Sequence, residues 1–182
     1  MSLRRKRALA IALSLAAAAL VGAGCGEEHE TEVVEGEPLE LGEVEYNVQI
    51  TRFLNPDDKE DSEYVEGQKV PPPPGQSFLA VFIEVSNDGD ETAELPAASE
   101  LKVTDTTGAP YSPLPVTNIF ALEVGGELGA GEELPAEDTA ADAGPTQGSI
   151  ILFLVPADIG ANRPLELDIA AEGHEGKIEL DI

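Results

Sequence analysis

Polar and apolar residues alternate along much of the chain after residue 38, and this period of two predicts β-strands. The clearest alternation puts four apolar residues on one predicted face: Val44, Tyr46, Val48 and Ile50. It predicts a strand on the outside of a sandwich, with one buried face and one wet face. Shorter alternating stretches at 101–105, 165–169 and 178–182 predict three more strands.

Two segments, 78–85 and 149–155, are apolar at nearly every position, which predicts strands buried on both faces. Turn-forming residues follow several strands, as at Asn87–Asp90 and Thr106–Gly108. About seven strands separated by turns predict an all-β fold, an antiparallel immunoglobulin-like sandwich. No segment after residue 25 has the pattern of a long amphipathic helix, although residues 132–143 come closest.

The first 24 residues have a different pattern, which is typical of a signal peptide. Four basic residues, Arg4 to Arg7, precede an uncharged apolar run from Ala8 to Gly24. We therefore predict a signal-peptide helix over residues 1–24. The run has 17 residues, the lower limit for crossing a bilayer, so an uncleaved anchor is the alternative.

The end of this run, Leu20-Val21-Gly22-Ala23-Gly24-Cys25, resembles the lipobox of bacterial lipoproteins. Gly22 stands where that motif usually has Leu. The resemblance implies that Cys25 receives a diacylglycerol and becomes the first residue of the mature chain. Secretion with a free thiol is a second possibility. A buried core cysteine is disfavoured because Gly26 and the polar residues 27–32 follow directly.

The remaining chain divides into a tether and one domain. Residues 25–37 are mostly Glu, Gly and Thr, too polar to form a core, so they predict an acidic flexible tether. Such a tether spans up to about 40 Å when fully extended. Residues 38–182 form the predicted sandwich domain. Cys25 is the single cysteine, so no intrachain disulfide can form.

The charge of the chain excludes some partners. It has 10 Lys and Arg against 36 Asp and Glu, and four of the cations lie in the predicted signal peptide. The mature protein therefore carries about −30, which repels phosphates and argues against nucleic acid as a partner. We expect most of the acids to form a solvated surface, with cations or basic partners as the alternative.

The sequence offers little catalytic chemistry. An acylated Cys25 cannot act as a nucleophile, and the two histidines, His29 in the tether and His174 in a predicted hairpin turn, are too few for a zinc or copper site. No nucleophile elbow, metalloprotease motif or phosphate-binding loop is present. We predict no catalytic residue, no metal site and no cofactor, and hence a protein that is not an enzyme.

Three acidic segments could still bind something. The long connection 54–77 contains Asp57, Asp58, Lys59, Glu60 and Asp61 and a run of four prolines, Pro71 to Pro74. The stretch 125–148 contains Glu132, Glu133, Glu137, Asp138 and Asp142. We expect solvated spacers in both, with a Ca²⁺ or partner surface as the alternative. The Asp88-Gly89-Asp90 turn lacks the full pattern of a Ca²⁺ loop.

Several short motifs resemble a family of secreted immunoglobulin-like domains that is common in bacterial lipoproteins and related in fold to a mycobacterial secreted antigen. The motifs are Tyr46–Ile50, Phe82–Asp90, Thr104–Tyr111, Gly144–Ser149 and Phe153–Pro156. The resemblance covers roughly residues 40–182. It implies a fold and an extracytoplasmic location but no catalytic residue.

These expectations combine into one functional prediction. The chain is expected to be a membrane-anchored extracytoplasmic lipoprotein, held on the outer face of the cell membrane through Cys25. Its domain would be a non-catalytic binding or assembly module for another envelope protein. One alternative is an accessory or sensor subunit that responds to divalent cations. A second alternative is a carboxylate-based hydrolase.

Overall fold

The computed structural model describes residues 31–182, and the predicted signal peptide, Cys25 and His29 lie outside this range. The regular secondary structure of these residues is mainly strand, with two short helices and one 3-10 turn. The elements are β1 Glu32–Val34, β2 Leu39–Leu41, β3 Val44–Leu54, α1 Lys59–Tyr64, β4 Gln76–Asn87, β5 Ala93–Glu94, β6 Leu101–Thr104, β7 Pro110–Tyr111, β8 Glu127–Leu128, β9 Glu133–Leu134, α2 Ala140–Ala143, β10 Ser149–Pro156, the 3-10 turn Ile159–Asn162, β11 Leu165–Ala171 and β12 His174–Leu180.

The strands form two main sheets. The first has the order β1-β12-β11-β6-β7, and the second has the order β10-β4-β3-β2 with β9 also paired to β4. All strand pairs are antiparallel except β1 with β12. In immunoglobulin domains strands A, B and E share one sheet and C, F and G the other. Strands β3, β4 and β10 correspond to A, B and E, and strands β6, β11 and β12 correspond to C, F and G. The predicted fold class, an antiparallel immunoglobulin-like sandwich, is therefore confirmed.

The main core lies between the two sheets, where alternate residues of each strand point inward. On β11, for example, Leu165, Leu167, Ile169 and Ala171 are buried and the residues between them are half-buried. They pack in one cluster with inward residues of β3, β4 and β12. Because the side chains of a strand alternate between two faces, this period of two in the sequence predicted the strands correctly.

A second core covers the outer face of the β10-β4-β3 sheet. Phe78, Ala80 and Phe82 of β4 point away from the main core and pack with Ile150 and Leu152 of β10. Five further buried residues complete the cluster: Leu54 at the end of β3, and Tyr64, Val65, Phe120 and Ala141 in the connections between strands. This cover explains why the segments 78–85 and 149–155 are apolar on both faces, as the sequence indicated. Strand β4 is central in its sheet, as expected.

One residue of β3 was assigned to the wrong face. The register with β4 shifts between Val48 and Ile50, where β3 carries a bulge. A bulge inserts an extra residue and so reverses the facing of the residues beyond it. Ile50 is therefore 40% exposed on the outer face instead of sharing the buried face of Val44, Tyr46 and Val48. Strand β3 also continues to Leu54, and its first three residues pair with β2, so it is not an edge strand along its whole length.

The folded domain begins before the predicted boundary at residue 38. Glu32–Val34 forms β1, an edge strand beside β12, and Val33 is buried in the main core. One buried side chain together with the backbone pairing to β12 docks this edge strand, even in an acidic segment. Residues 32–34 are therefore a strand of the described fold, within the segment 25–37 that the sequence predicted as a tether. Within residues 31–182 no helix is long and apolar enough to span a bilayer.

Candidate functional site

The first acidic connection is an ordered part of the fold and not a solvated spacer. Residues 59–64 form α1, and the carboxylate of Asp58 accepts hydrogen bonds from the backbone N–H groups of Glu60 and Asp61 at 2.9 and 3.3 Å. This is an ordinary N-cap, which satisfies donors that a helix start leaves unpaired. Tyr64 at the end of α1 is buried and packs edge-on against the rings of Phe82 and Phe120.

Arg52 fastens α1 to the sheet. Its guanidinium donates to Asp61 Oδ1 at 2.6 Å and to Glu60 Oε1 at 3.1 Å, and it lies over the rings of Tyr64 and Phe82 at 5.6 and 5.4 Å. Asp61 is 6% exposed, and its other oxygen accepts from the backbone N–H of Asn55 at 2.7 Å. Three of the four acids proposed for Ca²⁺ in this segment therefore have partners within the chain.

The second acidic connection contributes to a groove on the outer face of the β3-β4 sheet. It supplies β9 and α2, and α2 is capped by the Thr139 hydroxyl, which accepts from the Asp142 backbone N–H. The groove has a volume of about 190 Å³. Its lining comprises Glu45, Asn47, Glu84, Val85, Ser86, Glu133, Leu134, Pro135, Glu137 and Asp142.

Burial and mutual repulsion both act on the acids of this groove, which we call the acidic groove. Burial and then the charges of Asp88, Glu40 and Glu133 raise the pKa of Glu45 above its ordinary value of 4.5. Burial followed by the charges of Glu133 and Asp142 raises the pKa of Glu84 in the same way. The deprotonated acids thus oppose one another at neutral pH.

The acidic groove can attract cations or basic side chains, but its acids do not form a metal cage. Among residues 31–182 no group of three or more His, Cys, Asp or Glu side chains is placed to hold a metal ion. The sequence had singled out Glu133, Glu137 and Asp142 but had not connected Glu45 and Glu84 with them. The available signal was that Glu45 and Glu84 are polar residues within otherwise apolar strand patterns. The sequence could not connect them with Glu133, because only the fold shows that β9 lies beside β4.

The other acidic turn, Asp88-Gly89-Asp90, is fixed by Asn87. This side chain is buried, donates to the carbonyls of Glu91 and Leu128 at 2.9 Å, and accepts from the Gly89 N–H at 3.0 Å. These contacts explain the turn as a structural feature. His174 is exposed at the first position of β12, directly after the Glu172–Gly173 turn.

Sequence reasoning missed Asp105 as a central polar residue. Its Oδ1 accepts from the hydroxyl and backbone N–H of Thr107, at 2.6 and 2.9 Å, and from Ala109 N–H at 3.2 Å. Its Oδ2 accepts from Tyr111 and Asn162, both at 3.2 Å. These hydrogen bonds, led by that from Thr107, lower the pKa of Asp105 from 3.8 to about 2. Asp105 therefore joins the β6-β7 turn to the 3-10 turn.

Comparison with known proteins finds no matching family model and no matching curated relative. Solved structures with a similar shape include an uncharacterized β-sandwich protein of Clostridium difficile, with 15% identity, a TM-score of 0.49, and coverage of 84% of this chain and 95% of that one. A candidate lipoprotein of Bacillus subtilis, ycdA, has 14% identity and a TM-score of 0.46, with coverage of 84% and 39%. A secreted protein of Mycobacterium tuberculosis has 11% identity and a TM-score of 0.47, with coverage of 85% and 99%. All three TM-scores lie below 0.5.

Proposed function

We propose that this chain is a lipoprotein anchored through Cys25 on the extracytoplasmic face of the cell membrane. Its immunoglobulin-like sandwich then serves as a non-catalytic binding or assembly module for another envelope protein. The anchor is supported by the order of the basic residues 4–7, the apolar run 8–24 and Cys25. Several acyl chains on one cysteine hold a protein firmly at a membrane, whereas a single chain does not.

The observation that carries the binding role is the hydrogen bonding across the surface formed by residues 55–75 and 112–122, which we call the loop cover. The Asn118 side chain donates to the carbonyl of Tyr64 at 2.9 Å, and the Gln68 side chain donates to that of Pro115 at 2.7 Å. Ile119 is 76% exposed on this surface. A surface already fixed before binding loses less conformational entropy when a partner docks.

The two alternatives have less support. A cation-responsive subunit needs several oxygen ligands gathered at one point, and Asp58, Glu60 and Asp61 already have partners within the chain. A carboxylate-based hydrolase needs two acids with separated pKa values in a shielded pocket. Five of the ten residues that line the acidic groove are acidic. The pKa values of Glu45 and Glu84 are both raised, so they are not separated in opposite directions.

Site-specific photo-crosslinking in the intact host tests the binding role. A photoreactive amino acid at Ile119 samples the loop cover, and one at the exposed Lys102 samples the outer face of the other sheet as a matched control. We expect one discrete adduct with an envelope protein from position 119 and none from position 102. Adducts of the same mass and yield from both positions, or none from either, would contradict the proposed role.

A further inference from the structure

Strand β1 is held to the domain by few contacts. It has three residues, and within residues 31–182 it pairs only with β12 and forms the edge of its sheet. Val33 is its one buried side chain, and Val34 is 48% exposed. The next strand pair, β11 with β12, is seven residues long and antiparallel. Short, exposed edge segments open at much lower free energy than the body of a domain.

Glu35, directly after β1, supplies the main attachment. One carboxylate oxygen accepts from the backbone N–H of Thr51 on β3, and the other accepts from that of Asp181 after β12, both at 3.1 Å. Its own N–H donates to the Glu179 carbonyl at 2.8 Å. One side chain therefore links β3 of one sheet to the residue that follows β12 of the other. Gly36 follows with a φ of +87°, and its N–H donates to the Val48 carbonyl at 2.9 Å, which suits it to a hinge that stays attached to β3.

The charges beside β1 oppose this attachment. The surface along the strand is lined by four carboxylates, Glu32, Glu37, Glu166 and Glu179, together with Lys177. Lys177 already bonds Glu166 at 2.7 Å and lies 3.6 Å from Asp168. Docking of β1 thus brings Glu32 and Glu37 to a surface that is already negative, and the repulsion offsets part of the gain from Val33 and Glu35.

We propose that β1 and Glu35 form a releasable clamp that sets the length of the membrane tether. This inference rests on the anchor at Cys25 in the proposed function. With the clamp closed, residues 26–31 separate Cys25 from the domain and span at most about 20 Å. When β1 is released at Gly36, residues 26–36 separate Cys25 from the domain, and the reach rises to about 40 Å. The acidic segment is therefore a tether with two lengths.

The clamp has its own amide hydrogens, which makes its opening measurable. The N–H groups of Thr51 and Asp181 bond Glu35, and that of Lys177 bonds the Thr31 carbonyl at 2.8 Å. Amide hydrogen exchange of the full chain, purified from membranes in detergent, compares these three with the amides of the central strand β4. We expect the three to exchange together, at least about 100-fold faster than β4. Exchange at the β4 rate would overturn the proposal.

Two matched substitutions separate the clamp from general charge effects. Glu35→Gln removes a charge and an acceptor of the clamp, and should speed exchange of the three amides about tenfold. Glu37→Gln removes the same charge from the same surface but leaves Glu35 in place, and should slow their exchange about twofold by reducing repulsion. Equal effects of the two substitutions, in either direction, would contradict the assigned role of Glu35.

Tether length itself is tested on vesicles of neutral phosphatidylcholine, where charge changes do not alter attraction to the surface. Energy transfer from a dye on the domain to an acceptor on the headgroups should fall in Glu35→Gln and not in Glu37→Gln, because a released domain stands farther away. Unchanged transfer in both variants would overturn the two-length tether. Loss of vesicle binding in all variants would instead count against the anchor, while the exchange result would stand independently.

Discussion

The outer face of the β3-β4 sheet has two halves that differ completely, although the same two strands form both. In one half Leu54, Phe78 and Phe82 are buried under the loop cover, which includes α1. In the other half Glu45 and Glu84 line the open acidic groove. The boundary coincides with the bulge between Val48 and Ile50. A strand's outer face is thus buried only where a connection brings apolar residues to cover it.

The largest effect expected from this comparison is the loss of the second core. Phe82 is fully buried between β10 and α1, so Phe82→Ala should lower the free energy of unfolding by about 3–5 kcal/mol. The matched control is Ile50→Ala on the same face, where the side chain is 40% exposed. This substitution should lower the free energy of unfolding by about 0.5 kcal/mol. Urea denaturation measures both. Similar costs would show that the loop cover does not form a true core.

The next effect concerns the ion pair that holds the cover in place. Arg52→Met leaves Asp61, which is 6% exposed, without its cation and should cost about 2–4 kcal/mol. Lys177→Met breaks a pair with Glu166 in which both side chains are about 40% exposed, and should cost less than about 1 kcal/mol. The two variants remove the same charge. If thermal unfolding in low salt gives equal losses, the structural role of Arg52 is wrong.

The sequence predicted strands better than it predicted what the connections do. Alternation and long apolar runs identify β3, β4, β10, β11 and β12, because burial on one face or both leaves a local record. It could not indicate that Asp61 pairs with Arg52, since that contact depends on how α1 folds over the sheet. Ile50 was assigned to the wrong face because a bulge leaves no mark in hydrophobicity. Val33 was missed because it and Val34 are two adjacent apolar residues among acids, which gives no alternation.

A smaller effect should appear in the pH dependence of stability, with opposite signs at two sites. Glu84 has a folded pKa above 4.5, so its charge costs stability at neutral pH, and acidification through that pKa relieves the cost. Asp105 has a folded pKa of about 2 against 3.8, so its contribution is full above pH 4 and is lost as the pH falls toward 2.

Two variants isolate these contributions. At pH 7 the Glu84→Gln variant should be more stable than the unchanged chain. This difference in stability should shrink as the pH falls through the folded pKa of Glu84. The difference for Asp105→Asn should disfavour the variant at pH 7 and shrink only below pH 4. Chemical denaturation at a series of pH values measures both. A difference that stays constant with pH at either site would refute the assignment there.

The smallest expected effect is the response to calcium. If a site with a dissociation constant near 1 mM existed, 10 mM Ca²⁺ would add about 1.4 kcal/mol of stability. We expect no such excess, because the described residues gather no group of ligands for a metal ion. NaCl and Mg²⁺ at matched ionic strength should raise the melting temperature equally by screening. A larger shift with Ca²⁺, abolished by Glu84→Gln and Glu133→Gln, would favour the cation-responsive alternative.

The anchor at Cys25 is the central claim of this account, and lipid labelling tests it most directly. Cells that produce either the natural chain or Cys25→Ser are fed a fatty acid carrying a clickable group, and the immunopurified protein is examined for label, size and membrane retention. We expect the natural chain to be labelled, membrane-bound and without the signal peptide. The Cys25→Ser chain should be unlabelled and either unprocessed or released. An unlabelled natural chain that stays in the membrane at full length, with the mutant behaving identically, would contradict the account and support an uncleaved N-terminal helix.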